Sequence, residues 1–219
     1  MCNNSLDFII GSMNAWQYKK EDKVFSGALL SEAYSFDITV PQLASDTDYY
    51  HVYVGLDLDP FVRSGDDKGP RLYMHIIPAT VDKVGFIKDN FTTYQDFITT
   101  SIVDFKLLTD TIITSEEAMI RMDAWPFITE WIKYNQVFNV FKVPAEDLHD
   151  PSGASVFKGY FAMKHVAGIP MPDIVICKTS ASAAAESFYD MARTCPPFKS
   201  QDDMEALGLL EFVYVNKAF

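Results

Sequence analysis

Two apolar segments joined by a turn-rich stretch constrain the fold of this chain more than any other feature. Tyr49–Leu58 alternates between an apolar face and a mixed face, and Arg71–Ile77 is a second apolar run that ends at Pro78. Side chains of a β-strand alternate between its two faces, so a period of two predicts a strand. The intervening residues 59–70 are rich in Asp, Gly and Pro, which favour turns. The sequence therefore predicts a β-hairpin with a long loop.

Further short segments also have the apolar character of strands. One of them, Tyr34–Val40, alternates at period two and ends at Pro41. The other predicted strands are Phe8–Ile10, Val24–Leu30, Val137–Val143, Ser155–Met163, Asp173–Cys177 and Leu209–Val215.

Two regions are predicted to be helical, at about 90–135 and 181–194. The first falls largely within a stretch from Phe86 to Trp125 without Gly or Pro, in which apolar residues recur at helical spacing. Ser115, followed by two glutamates, is a predicted N-cap, and Pro126 is expected to kink or split the helix. The second helix follows Ser180, another predicted N-cap.

The order of these elements predicts the fold class. Strands come first, then helices, then mostly strands, and no Ser/Gly/Pro-rich linker divides the chain. We therefore expect one α+β domain spanning 1–219, with a largely antiparallel sheet and helices packed on one side.

Net charge limits the classes of partner. The chain has 30 acidic against 18 basic residues, a formal charge of −12. Such a surface repels phosphate backbones and anionic lipids, so binding of nucleic acid or of a membrane surface is not expected. It attracts basic molecules, and a basic protein is the predicted partner. The alternative is that the charge serves only solubility.

Cysteine usage and hydropathy indicate a compartment. Cys2, Cys177 and Cys195 do not form the spacing of a disulfide framework, which favours a reducing, cytoplasmic location, although one Cys177–Cys195 bridge stays open. No secretory signal is visible, and the longest unbroken apolar runs have four residues, whereas a membrane span needs about 20.

An acidic segment is the strongest local anomaly. The range from Asp46 to Asp67 contains six aspartates and only one Lys or Arg residue, Arg63. Carboxylates at this density can bind Ca²⁺ or Mg²⁺, but the EF-hand pattern is absent, and a solvated loop is the simpler interpretation. A second polar cluster, Glu146–Asp150, precedes Pro151 and is predicted to be a turn.

Two histidines lie on the arms of the predicted hairpin. If Tyr53 pairs with His75, then His51 and His75 face the same way as Asp57, and a slip of one residue separates them. Two imidazoles and a carboxylate on one face suit zinc or iron. The alternative is that both are ordinary strand histidines.

These patterns predict a non-catalytic binding protein of adaptor or inhibitor type, without a cofactor. Its acidic contact surface is assigned to the hairpin residues Asp57, Asp59, Arg63, Asp66, Asp67, His51 and His75. The alternative is a metal-dependent hydrolase that uses Asp57, Asp59, His51 and His75 as ligands or general base. A third hypothesis is binding of a carbohydrate or small ligand on an aromatic face. Trp16, Trp125 and Trp131 are candidates for that role if exposed, and core packing is the default for Trp125.

Overall fold

A strongly curved antiparallel sheet organises the chain. The computed structural model describes residues 5–41, 46–58, 69–105, 116–150, 155–166, 168–180, 186–189, 193–195 and 207–215. The strands are β1 Ala33–Ile38, β2 Tyr49–Asp57, β3 Arg71–Pro78, β4 Thr99–Phe105, β5 Val140–Pro144, β6 Ser155–Val166, β7 Ile169–Ser180, β8 Glu186–Tyr189 and β9 Arg193–Cys195. The helices are α1 Leu6–Lys19, α2 Lys23–Glu32, α3 Val84–Asp89, α4 Glu116–Asp123, α5 Ile128–Tyr134 and α6 Gly208–Val215.

The strands pair in the order β8-β7-β6-β1-β4-β3-β2-β5-β9, and every ladder is antiparallel. β7 and β9, which lie near opposite ends of this order, approach each other, so the sheet curls into a barrel-like shape. The predicted α+β class with an antiparallel sheet is confirmed.

Helices cover both faces of the sheet, so the expectation of helices on one side is wrong. α2 and α5 pack into the apolar interior of the curved sheet, whereas α1, α3 and α6 pack against its outer face. The physical reason is visible in β2, where Val52 and Val54 are buried inside and Tyr53 is buried outside. A sheet that is apolar on both faces needs cover on both.

Aromatic rings fill the interior. Trp125 and Phe161 have ring centroids 5.1 Å apart, and Phe138 and Phe141 have centroids 4.7 Å apart. The indole N–H of Trp125 donates to the carbonyl oxygen of Leu30 at 2.6 Å, which ties the helical segments to each other. Each ring removes a large apolar area from water, and the buried indole N–H has a partner, as such groups require.

Three of the predicted strands are helices. Phe8–Ile10 lies in α1, Val24–Leu30 in α2, and Leu209–Val215 in α6. Caps explain the first two, because Ser5 Oγ accepts a hydrogen bond from the Phe8 amide and Asp22 accepts one from the Phe25 amide. Short apolar runs do not distinguish a buried helix from a strand, whereas a filled N-cap favours the helix.

The helices predicted over about 90–135 and 181–194 are partly wrong. Thr99–Phe105 is strand β4, and Glu186–Tyr189 is strand β8. Helix α4 begins at Glu116, whereas the predicted cap Ser115 lies outside the described residues. Pro126 does split the helical region, because a 3₁₀ turn over Trp125–Phe127 separates α4 from α5.

The predicted hairpin is confirmed, with Tyr53 opposite His75 in the ladder. Its loop, 59–68, lies outside the described residues. None of the described helices has the length and apolar character needed to span a membrane.

Glycine at position 159 is required by a close approach across the sheet. A Cβ built on Gly159 would lie 2.5 Å from Cζ of Phe36, whose ring fills the barrel-like interior. Phe36 and Gly159 are buried opposite each other on the paired strands β1 and β6, so neither the ring nor an added methyl group has room to move away.

We expect Gly159→Ala to lower the free energy of unfolding by about 1–3 kcal/mol, because the added methyl overpacks the interior. Gly11→Ala is the matched control: it lies within α1, nothing lies within 4 Å of its added Cβ, and it should raise stability by about 0.5–1 kcal/mol. Urea unfolding of both variants measures the difference. Equal stability of the two variants would contradict the proposed Phe36 contact.

Candidate functional site

The outer face of the β2–β3 hairpin carries a buried polar network. His51 and His75 lie on this face, as the Tyr53–His75 pairing requires, and both are buried. Asp57 lies at the far end of β2, opposite Arg71 in the ladder. The register question that the sequence left open is therefore settled in favour of a shared face, but the imidazoles bind different partners.

The carboxylate of Asp82, in the loop after β3, accepts hydrogen bonds from His51 and from two other groups. Its Oδ2 lies 2.6 Å from Nδ1 of His51 and also accepts a hydrogen bond from the Tyr53 hydroxyl. Its Oδ1 accepts from the backbone amide of Leu209 at 2.7 Å. Asp82 is fully buried, so these three donors replace the water that it loses on folding. The carboxylate thereby joins the hairpin to the start of α6.

The phenols around this carboxylate stay protonated. Burial, together with the charge of Asp82, raises the pKa of Tyr53 well above its ordinary value. The same two causes, burial first, raise the pKa of Tyr94. Both side chains are therefore hydrogen-bond donors at every physiological pH, which suits a structural anchor.

His75 belongs to a second small network. Its Nε2 lies 2.8 Å from Oγ of Ser12 in α1, and its Nδ1 lies 2.9 Å from Oγ1 of Thr100 in β4. Burial lowers the pKa of His75 to about 3, so the ring is neutral at pH 7. One hydroxyl then accepts from the ring and the other donates to it, which ties α1 and β4 to the hairpin.

These contacts bear on the metal hypothesis. Nδ1 of His51 and both nitrogens of His75 already have protein partners. Among the residues that the structure describes, no group of three or more His, Cys, Asp or Glu side chains is placed to hold a metal ion. The other hairpin candidates, Asp59, Arg63, Asp66 and Asp67, lie outside the described residues.

The acidic segment does not form one cluster. Asp46 and Asp48 precede β2, whereas Asp57 ends it. A strand rises about 3.3 Å per residue, so Asp48 and Asp57 are separated by roughly 30 Å. The aspartates that precede β2 and Asp57 therefore lie at opposite ends of this strand.

The structure instead brings Asp48 next to the second polar cluster of the sequence. Tyr49 pairs with Pro144 across β2 and β5, and the Ala145 amide donates to the Asp48 carbonyl at 2.9 Å. Asp48, Tyr49, Lys142 and Glu146 consequently line one open pocket of about 450 Å³, called here the acidic pocket. Sequence reasoning identified both acidic stretches but not their meeting, because β2–β5 pairing is not local in the chain.

The acidic pocket holds a cation against an aromatic ring. The Lys142 ammonium lies 4.3 Å from the ring centroid of Tyr49, a cation–π contact. Tyr49 is 40% exposed, and the carboxylates of Asp48 and Glu146 are exposed beside it. This combination of ring and carboxylates suits recognition of a guanidinium or ammonium group.

Two of the three tryptophans are not candidates for an exposed aromatic face. Trp16 and Trp125 are buried and donate to backbone carbonyls at 3.0 Å and 2.6 Å. Trp131 lies at the border of the interior and also lines a second cavity.

Comparison with known proteins leaves the site to be interpreted from its own geometry. No protein-family model, curated protein or solved structure matches this chain.

Burial of neutral His75 predicts acid sensitivity. Its pKa is lower in the folded than in the unfolded state, so the unfolded chain binds the proton first, and stability falls as the pH drops from 6.5 towards 3. We expect a loss of up to about 1.4 kcal/mol per pH unit in this window from this group. Urea unfolding of wild type and His75→Asn at several pH values measures how the free energy of unfolding depends on pH. Between pH 6.5 and 3, the variant should take up about one proton fewer on unfolding than wild type does. An NMR titration that finds His75 ionising near 6.5 would contradict this prediction.

Removing the charge of Asp82 should loosen the attachment of α6. In Asp82→Asn the side-chain NH₂ group replaces one of the two accepting oxygens and points its hydrogen at a group that also donates. We therefore expect the free energy of unfolding to fall by roughly 2–4 kcal/mol. The Leu209 amide should also exchange faster with deuterium. Asp89→Asn, an exposed position at the end of α3, is the control and should change stability by less than about 0.5 kcal/mol. Wild-type stability of Asp82→Asn would contradict the anchoring role.

Proposed function

We propose that this protein is a non-catalytic, cytoplasmic binding protein whose acidic contact surface recognises a basic protein. The observation that carries the proposal is the acidic pocket, where exposed carboxylates from two distant segments flank the partly exposed ring of Tyr49. The net charge of −12 supports it, since complementary charge speeds encounter and improves specificity. The contact surface that the sequence assigns to Asp57, Asp59, Arg63, Asp66 and Asp67 stays a separate prediction, since Asp57 lies at the other end of β2 from Asp48.

The chemistry of the pocket specifies the partner's anchor. The ammonium group of Lys142 lies 4.3 Å from the centroid of the Tyr49 ring, so this ring already takes part in one cation–π contact. An arginine of the partner combines stacking on such a ring with paired hydrogen bonds to the carboxylate of Asp48 or Glu146. We therefore propose an exposed arginine as the anchor.

The hydrolase hypothesis has less support from the described residues. His51 and His75 are buried, and both ring nitrogens of His75 have protein partners, so metal binding at His75 would require breaking its contact to Ser12 or Thr100. Elemental analysis of the purified protein separates the two proposals. A stoichiometric metal that is lost in Asp57→Asn would favour the hydrolase.

The binding proposal is tested with hexa-arginine and hexa-lysine peptides. We expect the Asp48→Asn/Glu146→Gln double variant to bind hexa-arginine at least about fivefold more weakly than wild type, with affinity falling as salt rises. Glu21→Gln/Asp89→Asn removes the same number of exposed charges elsewhere and should change affinity less than about twofold. Fluorescence anisotropy of labelled peptides measures all combinations.

Equal weakening in both double variants would mean that only net charge matters, which contradicts a localised surface. Equal affinity for the two peptides would contradict the arginine anchor, since hexa-lysine has the same charge but cannot stack or pair in the same way.

A further inference from the structure

The ammonium of Lys142 lies over the aromatic ring of the acidic pocket. Lys142 belongs to β5, lines the pocket together with Tyr49, and places its ammonium 4.3 Å from the centroid of the Tyr49 ring. Tyr49 pairs with Pro144, and Lys142 lies two residues before Pro144 on the same face of β5. Such diagonal neighbours on paired strands are within reach of long and aromatic side chains. The ring therefore carries a cation before any partner binds.

The described part of the chain holds this ammonium only weakly. Lys142 forms no ion pair with any carboxylate that the structure describes, although Asp48 and Glu146 line the same pocket. Its direct neighbours across the strands are His51 on β2 and Arg193 on β9, and neither supplies a negative charge. A cation–π contact at a partly exposed site is weak, so another cation can replace it.

The pocket offers an incoming guanidinium more than it offers Lys142. Asp48 and Glu146 are exposed, and neither forms an ion pair with the residues that the structure describes. Their carboxylates are hydrogen-bond acceptors that the Lys142 ammonium leaves unused. An arginine can stack on the Tyr49 ring and form paired hydrogen bonds to a carboxylate at the same time. Exchange of the internal cation for an arginine therefore gains contacts.

We propose that Lys142 is an autoinhibitory contact of the acidic pocket, an internal cation that an arginine of the partner displaces from Tyr49. This inference rests on the proposed function, since it concerns the same pocket and the same class of partner. Breaking the contact uses part of the binding energy, so Lys142 lowers the affinity for any basic partner. A partner that forms no further bonds in the pocket gains little by displacing it.

Binding of hexa-arginine to Lys142→Thr, measured by fluorescence anisotropy, tests this inference. Threonine is short, neutral and suited to a strand, so it uncovers the ring and keeps β5. We expect affinity to rise by about two- to fivefold, which corresponds to the loss of an exposed cation–π contact. Lys158→Thr is the matched control, because Lys158 is a partly exposed lysine on β6 that does not line the pocket. It should change affinity by less than about 1.5-fold at about 150 mM salt.

A Tyr49→Leu background separates the contact with the ring from simple charge repulsion. Without the ring, Lys142→Thr removes only a charge that repels the peptide, so its gain in affinity should be at least about twofold smaller than in the presence of Tyr49. A gain of the same size in both backgrounds would overturn the autoinhibitory contact, because the gain would then come from charge alone.

Proton NMR of Lys142 follows the displacement directly. Protons above an aromatic ring resonate upfield of their ordinary position, so the ε-methylene signal of Lys142 should be shifted upfield in the free protein. It should return towards its ordinary position on saturation with hexa-arginine. An upfield shift that persists at saturation would show that the peptide binds without displacing Lys142, which overturns the inference.

Failure of this inference differs from failure of the proposed function. If hexa-arginine binds wild type and Lys142→Thr equally, or if Lys142→Thr and Lys158→Thr have equal effects, the autoinhibitory contact is overturned and the proposed function stands. If hexa-arginine binds neither wild type nor any variant, the proposed function is overturned, and this inference with it.

Discussion

Burial of the β2–β3 hairpin on both of its faces is the constraint on which the rest of the structure depends. Val52, Val54 and Met74 face the interior, whereas Tyr53, His51 and His75 face the helices outside. Since the outer face is covered, every polar group on it must find a protein partner. That requirement explains why Asp82, Ser12 and Thr100 meet the hairpin where they do, and why α1 and α6 are attached to it.

His51 and His75, which the sequence offered as candidate metal ligands, are consequently buried residues that help to hold the fold together. His75 and the tyrosines near Asp82 owe their shifted pKa values first to burial, which removes water from them. Perturbed ionisation often marks an active site, but here the groups are closed off and satisfied. Exposed carboxylates beside a partly exposed ring lie elsewhere, in the acidic pocket, and the proposed function depends on that surface.

The sequence predicted those elements of the fold that depend on neighbouring residues better than those that depend on pairing between distant segments. The hairpin followed from a period of two, whereas the sequence left its register open and only the structure fixes the pairing of Tyr53 with His75. Helices α1 and α2 were missed because short apolar runs outweighed the caps at Ser5 and Asp22. Strand β4 was missed because its residues also fit a helical period, and only pairing with β1 and β3 selects the strand.

The sequence by itself determined the local and additive properties of this protein: its acidic charge, its richness in aromatic side chains and the hairpin, but not the register that puts His51 and His75 on one face. Only the tertiary structure decided which distant residues meet. It separated Asp48 from Asp57 along one strand and placed Asp48 beside Glu146. It also assembled a cavity from α5 and the β6–β7 hairpin. Such meetings depend on strand order and on the curvature of the sheet, which arise from burying both faces at once and leave no periodic signal in the chain.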